Sequence, residues 1–376
     1  MQIKTKDFQE ACKKILGALD TDVAIKTAAY GYDTLELKGK GDHIDLIVSN
    51  GTYYVGVSLE AADAGEGWHL TVDGKLFLSL IAKITTDSIE LSQKGNSLSV
   101  KANGKYKFPL KYDSAGEVID IPEIWLGDVT AEFPIDGSIL LSISEENSKE
   151  LLKKKATRPI QQMYYVDGDG CVTWTNSSAC INHFSLAKPI RILLPQKVAK
   201  LFKLFVPGEV SVKLGHAQSG DVAQTRIGFT QGDVSVSAIL PAGEALFSSI
   251  PLDALRGRAD KNYPSKVTLD AGELSSALDR LSLFGANGFS SPVIEFSFNG
   301  GDATVKEVER GNVESVHVEG GEGFGGKSFT ALIDSIKPII QGCGGKDVTF
   351  SFDDGPAFVV SVGGIKNVVA KAVVRP

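Results

Sequence analysis

The sequence predicts an α+β protein of three similar domains, each built from antiparallel sheets packed on two helices. Three observations carry that expectation. Six amphipathic helical stretches recur along the 376 residues and fall into three pairs, each pair occupying about a third of the chain. Runs of strict apolar–polar alternation precede and follow the helices, the pattern of half-buried antiparallel strands. The interval between pairs is too long for a solenoid repeat and suits a repeated domain.

The helical stretches come first. Residues 7–19 set Phe8, Ala11, Cys12, Ile15 and Leu19 on one stripe, and residues 75–84 do the same with Leu76, Leu80 and Ile84. The others are 145–157, 196–205, 273–284 and 329–340. Alternation marks strands at Leu35/Leu37, Ile44/Leu46/Val48, Val55/Val57/Leu59, Ile89/Leu91 and Leu98/Val100. It returns at Val210/Val212/Leu214, Val234/Val236 and Val348/Phe350/Phe352. Lys94-Gly95-Asn96, Asp167-Gly168-Asp169-Gly170 and Gln231-Gly232-Asp233 read as hairpin turns. Residues 113–136, with Pro122 and Pro134, and residues 241–264, from Pro241 to Pro264, show no clear period. They read as connectors, giving domains 1–125, 126–250 and 251–376.

Composition excludes several classes. Hydrophobic content of 43% with 23% charged residues is that of a soluble globular protein. The opening MQIKTKDF reads as neither signal peptide nor membrane anchor, and no apolar run approaches a bilayer span. Cys12, Cys171, Cys180 and Cys343 show no CxxC spacing, which fits reduced, buried thiols in a cytoplasmic protein. His43, His69, His183, His216 and His317 show no metal-ligand spacing. Asp353-Asp354 and Glu145-Glu146 fit a hairpin turn and a helix N-terminus. Nothing argues for catalysis or a cofactor.

One motif argues for nucleotide binding. Gly321-Glu322-Gly323-Phe324-Gly325-Gly326-Lys327-Ser328 matches GxxxxGK[ST], placed between a strand at 314–319 and the helix expected from 329. A working loop of this kind wraps phosphate in backbone N–H groups ahead of a helix N-terminus. Against it, only 48 residues follow Ser328, too few for parallel crossovers. The strand Val316-His317-Val318-Glu319 is also half-polar, where a central parallel strand is apolar on both faces. A P-loop ATPase domain using Gly321–Ser328 and a three-domain binding scaffold unrelated to DNA stay open as alternatives.

The net charge of −7 gives no general attraction for polyanions, so any such contact depends on where cations sit. They gather on the helices: Lys197, Lys200 and Lys203 at spacing three, Lys153-Lys154-Lys155 with Arg158, and Lys13, Lys14, Lys83, Arg280 and Lys337. Such faces also arise simply from the need for solubility.

Taken in order, short motifs along the whole chain resemble the bacterial DNA polymerase III β subunit, the replicative sliding clamp. They are Ile3-Lys4-Thr5-Lys6-Asp7-Phe8 with Ala11, Lys107-Phe108-Pro109-Leu110, and Ile192-Leu193-Leu194-Pro195-Gln196-Lys197 with Leu201 and Leu204. Val234-Ser235-Val236-Ser237 leading to Phe247, Ile250 and Pro251, and a terminal strand from Val369 to Arg375, complete the series. The chain departs from the family where an Asp-Gly-His-Arg-Leu stretch is usual and Thr175-Asn176-Ser177-Ser178-Ala179-Cys180 stands instead. The resemblance implies a DNA-clamp fold and a closed, head-to-tail homodimeric ring around duplex DNA. Such a ring has no enzymatic activity and tethers a polymerase, while a separate loader opens it. It also implies that the helix cations listed above face DNA. A groove for partner peptides would use Thr175, Asn176, Ser177 and Cys180, with Leu246, Phe247 and Ile250 as floor. Phe289, Pro356, Ala372, Val373, Val374, Arg375 and Pro376 would lie opposite.

Overall fold

The computed structural model describes residues 1–19, 33–61, 67–147, 161, 163–175, 177–188, 190–219, 222–241, 244–284, 291–341 and 346–373. The chain forms two compact units, Met1–Leu141 with Lys197–Ala242 and Ser142–Gln196 with Gly243–Pro376.

From the start of the chain, β1 (Gln2–Lys4), α1 (Thr5–Ala18), β2 (Thr34–Lys40), β3 (His43–Ser49), β4 (Tyr53–Glu60) and β5 (His69–Asp73) lead into α2 (Gly74–Ile81). There follow β6 (Ser88–Lys94), β7 (Ser97–Lys101), β8 (Lys105–Pro109), β9 (Asp128–Asp136) and α3 (Gly137–Glu145). Next come β10 (Met163–Asp167), β11 (Gly170–Trp174), β12 (Ser178–His183) and β13 (Arg191–Pro195). The chain continues through α4 (Gln196–Lys200), a 3₁₀ turn over Leu201–Leu204, β14 (Glu209–Ser219), β15 (Val222–Gln231) and β16 (Val234–Ile239). Two short helices, α5 (Glu244–Ser248) and α6 (Leu252–Ala259), precede β17 (Ser265–Leu269) and α7 (Ala271–Leu281). The series closes with β18 (Val293–Asn299), β19 (Asp302–Glu307), β20 (Val313–Glu322), β21 (Ser328–Leu332), α8 (Ile333–Ile340), β22 (Val348–Phe352), β23 (Ala357–Val362) and β24 (Ile365–Ala370).

The first unit holds an eight-stranded sheet, β5-β2-β3-β4-β16-β15-β14-β9, and a four-stranded sheet, β1-β6-β7-β8. Its core follows from period two on the strands and 3.6 on the helices. α1 buries Phe8, Ala11, Cys12 and Ile15, and α2 buries Phe77, Leu78 and Ile81. The Phe77 ring meets Phe8 edge-on at 6.0 Å and Phe108 at 5.3 Å. Asp73 caps α2 by accepting the Leu76 amide at 2.8 Å.

The second unit holds a single twelve-stranded sheet, β13-β10-β11-β12-β24-β23-β22-β17-β20-β19-β18-β21. It continues because β20 pairs with β19 through Val313–His317 and with β17 from Val318 onward, bending past a register shift at Thr268/Leu269. The bend brings Phe296 and Phe298 of β18 and Phe329 of β21 against Phe350, Phe352 and Phe358, with neighbouring ring centres 4.5–6.4 Å apart. Under α7 and α8, with Leu274, Leu278, Ile336 and Ile340, these rings form the main core of the unit.

Several expectations need correction. Leu76, expected on the buried stripe of residues 75–84, is 59% exposed, and Phe77, Leu78 and Ile81 are buried instead. Residues 113–136 are not all connector, because β9 occupies Asp128–Asp136 as the edge partner of β14. Its polar outward residues mask the alternation of Phe133 and Ile135. Residues 241–264 likewise hold α5 and α6, too short to show a helical period. The stretch 329–340 splits: Phe329 and Ala331 alternate inward in β21, and the apolar helical stripe starts at Ile333. The last strand ends at Ala370, before most of the span expected from Val369 to Arg375.

The helix expected at 145–157 mostly lies outside the described residues, yet α3 ends at Glu145. That residue is therefore at a helix C-terminus, not an N-terminus. The signal for α3 was present, since Asp136 accepts the Ser138 amide at 2.7 Å and Leu140 and Ile143 stand three apart. Asp353 and Asp354 do sit in the turn between β22 and β23.

The glycine-rich motif is no phosphate loop. Lys327-Ser328 leads into strand β21, so the motif does not open a helix, the next one starting only at Ile333. The Gly326 amide donates to the Phe298 carbonyl at 2.9 Å and the Lys327 amide to that of Phe324 at 3.0 Å. The Lys327 ammonium donates to Ser265 Oγ at 2.8 Å. The glycines serve close packing: a Cβ at Gly323, whose φ is +63°, would stand 2.1 Å from the Pro264 carbonyl oxygen.

Candidate functional site

The second unit carries a half-open recess of about 450 Å³ on one face of the β13-β10-β11-β12-β24-β23 part of its sheet. Strand alternation builds the apolar base. Tyr165, Val172, Trp174, Ala179, Ile181, Leu193, Val368, Val359 and Ala357 form one cluster, and Ile250, Ala259 and Tyr263 pack on it from the segment that carries α5 and α6. Leu246, Phe247, Leu252 and Leu255 lie half-buried against that cluster. The recess opens between Tyr165, Arg191, Phe247 and the run Ile250–Ala254.

Phe247 is its aromatic centre. The ring meets Tyr165 edge-on at 6.3 Å and lies beneath the Arg191 guanidinium, 4.8 Å from the ring centre. Arg256 of α6 holds Asp167 at the end of β10 through a 2.8 Å ion pair. Burial acts to raise the Asp167 pKa, but the Arg256 hydrogen bond, the Asp169 amide and the Arg256 charge outweigh it and leave it lowered. Burial, with the Asp167 charge behind it, pushes the Tyr165 phenol up, so Tyr165 is a neutral wall. The resulting hollow is apolar below, has a cation over one aromatic ring, and suits a hydrophobic side chain of a partner.

The structure brings together part of the groove residues. Leu246, Phe247 and Ile250 meet at or beside the recess. Thr175 and Ser177 instead shape the turn between β11 and β12: Thr175 Oγ1 accepts the Ser177 and Ser178 amides at 3.3 and 3.2 Å. The Ser177 carbonyl accepts the Ala370 amide at 2.8 Å, which ties that turn to the end of β24. Cys180 is fully buried on the opposite face from Ala179 and Ile181, its Sγ 3.9 Å from the Glu146 carbonyl. Alternation therefore removes it from the recess wall. Pro356 is exposed and its carbonyl accepts the Lys371 amide at 2.8 Å. Ala372 exchanges bonds with Thr330, N to O at 3.0 Å and Oγ1 to O at 2.6 Å, and Val373 is 86% exposed. Asn176, Phe289, Val374, Arg375 and Pro376 lie outside the described residues. Sequence reasoning missed Tyr165, Arg191, Asp167 and Arg256, though Met163/Tyr165 alternation beside the Asp-Gly turn was a usable signal.

The helix cations differ in exposure and in pairing. In the first unit Lys13, Lys83, Lys200 and Lys203 are exposed, as is the side chain of Lys197. Lys14 pairs with Asp233 at 2.8 Å. In the second unit Arg280 forms a two-point pair with Glu314 at 2.8 and 2.7 Å, and Lys337 pairs with Asp279 at 2.7 Å. Lys153, Lys154, Lys155 and Arg158 lie outside the described residues. No helix among the described residues is long and apolar enough to cross a membrane.

These sheets and helices define a sliding-clamp fold, matched along the whole chain. More narrowly, the solved structures it superposes on include bacterial DNA polymerase III β subunits. The sliding clamp of Bacillus subtilis superposes with a TM-score of 0.74 at 13% identity, covering 100% of this chain and 99% of that one. The β subunit of Pseudomonas aeruginosa gives 0.76 at 16%, covering 100% of both. That of Thermotoga maritima gives 0.75 at 14%, covering 100% and 99%. No family model matches the sequence, and no curated protein matches it. The likeness is thus one of backbone architecture, with side chains almost wholly replaced.

Proposed function

We propose that the chain is a divergent DNA sliding clamp. Two copies close head to tail into a ring around duplex DNA, which slides without sequence preference and tethers a replicative polymerase in the cytoplasm. The observation that carries this reading is the end-to-end match to β clamps, with no part of either chain left over. Three clamp domains, 1–125, 126–250 and 251–376, would each supply two helices to the inner wall. The mechanism is topological: a closed ring cannot leave sideways, so weak phosphate contacts suffice and do not hinder sliding. Lys13, Lys83, Lys197, Lys200 and Lys203 are the favoured contacts because their side chains are exposed. Lys14, Arg280 and Lys337 would contribute less, their charge being already offset by Asp233, Glu314 and Asp279.

The recess around Phe247 is proposed as the dock for short hydrophobic peptides of the polymerase and of a separate clamp loader. Where the family usually has His and Arg this chain has Ser178 and Ala179, both buried and Ala179 within the apolar base, so the partner preference would differ from the family's. The ring itself needs no catalytic group. Retention on circular DNA, lost on linearisation, together with a dimeric mass in solution, tests the reading. A protein that stays monomeric at micromolar concentration and is never held by circular DNA, even with a loader, refutes it.

A further inference from the structure

On the first unit, three ligand-type side chains converge from segments far apart in sequence: Glu36 of β2, His69 of β5 and Asp120 of the stretch before β9. Their separation of 33 and 84 residues explains why no spacing in the sequence revealed them. Glu36 is fully buried, on the face of β2 opposite the core residues Leu35 and Leu37. Its Oε2 accepts the Ile121 amide at 3.0 Å, which fixes the carboxylate and leaves Oε1 aimed at His69 Nε2, 2.6 Å away. Asp120 Oδ1 stands 4.0 Å from the same nitrogen, and all three ligand atoms lie within 4.8 Å of one another.

We propose that Glu36, His69 and Asp120 form a binding site for a divalent transition metal of the zinc type. One imidazole with two carboxylates is a donor set that suits such ions. Metal–ligand bonds of about 2.0–2.2 Å put neighbouring donor atoms roughly 3–3.5 Å apart. The observed 2.6 and 4.0 Å bracket that spacing, so small movements of His69 and Asp120, both partly exposed, complete the set. The buried carboxylate supplies the fixed point, oriented by the Ile121 amide as outer partners orient metal ligands elsewhere.

A cation already occupies part of this place. Lys38 Nζ lies 3.1 Å from Asp120 and 4.0 Å from Glu36, so the ammonium and the metal compete for the same negative charge. Lys38 is about half exposed and can swing outward, leaving open positions for water on the ion. Filling the site would pin residues 119–121, whose Ile119 and Ile121 pack on Ile47 and Tyr54, to β2 and β5.

The test is calorimetric titration of the full chain with zinc chloride in chelator-free buffer, with cobalt(II) absorption as a second readout. One zinc per chain should bind with micromolar affinity. H69A should weaken it at least tenfold and abolish the tetrahedral cobalt bands. K38M should tighten it severalfold by removing the competitor. Zinc binding equal in wild type and H69A, or cobalt bands that survive H69A, would place the metal elsewhere and overturn the proposal. So would a K38M affinity no higher than that of the wild type. Circular dichroism of each variant separates loss of the site from loss of the fold.

Discussion

Phe247→Ala is the sharpest perturbation of the proposed dock. Phe247 is half-buried, so its removal forfeits about half of the 1.5–3 kcal/mol for a fully buried large apolar side chain, or roughly 1–1.5 kcal/mol. The edge-on contact with Tyr165 adds about 0.5–1.5 kcal/mol, and the Arg191 cation over the ring about 0.5–1 kcal/mol. The second unit should therefore lose about 2–4 kcal/mol, less whatever the five-residue α5 regains by relaxing. Binding of a hydrophobic partner peptide should suffer as well, because an aromatic at the centre of a recess acts as an anchor whose truncation costs about 2 kcal/mol or more, about thirtyfold or more in Kd. Urea unfolding gives the first quantity, and fluorescence polarisation with a labelled polymerase C-terminal peptide gives the second. Arg191→Met, alone and combined with Phe247→Ala, isolates the cation–ring coupling. A variant that folds normally and binds the peptide as tightly as wild type would refute the placement of the dock.

Three further predictions follow from charges and loops. Lys197, Lys200 and Lys203 changed together to Glu should keep the fold, since Val198, Leu201 and Phe202 carry the buried side. DNA retention should fall and its salt dependence flatten by about one counterion per lost contact, read from log K against log salt. Lys327→Ala should leave ATP binding absent, as in the wild type, and cost about 1 kcal/mol by removing its hydrogen bond to buried Ser265, measured by thermal melting. The pH profile tests Asp167. Its folded pKa is depressed, so the Arg256 pair stabilises fully above the unfolded value of about 3.9 and fades as pH falls through the folded value. Asp167→Asn should thus cost about 1.5–3 kcal/mol at neutral pH and progressively less in acid, with the two urea midpoints converging once the pH has fallen through the folded value.

The sequence carried the architecture further than the site. Strands such as Leu35/Leu37 and Val348/Phe350/Phe352 were legible because one face is core and the other polar, so period two survives. β9 was not, because seven of its nine residues face outward or stay half-covered and only Phe133 and Ile135 mark the core. The split at Ser328–Leu332 was hidden because Phe329 fits a helical stripe and a strand equally well until the pairing with β18 decides. The recess depends on contacts between residues 165, 191 and 247, and no local pattern encodes them. Cys180 shows the complementary error: position along the chain suggested a wall, whereas strand parity sent the thiol to the other side.

The pairing of β24 between β12 and β23 has a consequence for how the protein is made. Ser178 aligns with Val369, so the sheet of the second unit is joined across nearly two hundred residues of chain by a strand synthesised after all its neighbours. Until Ile365–Ala370 leaves the ribosome, β12 and β23 each present an unsatisfied backbone edge, the kind of surface that recruits other strands. The first unit meets its long-range condition earlier, when β16 arrives beside β4 with Val234 opposite Val57. Synthesis therefore imposes an order on assembly, with a vulnerable interval in which the second unit is almost complete and still open. Stalled or prematurely released chains should be the main source of aggregates, and a holdase that shields strand edges the main protection.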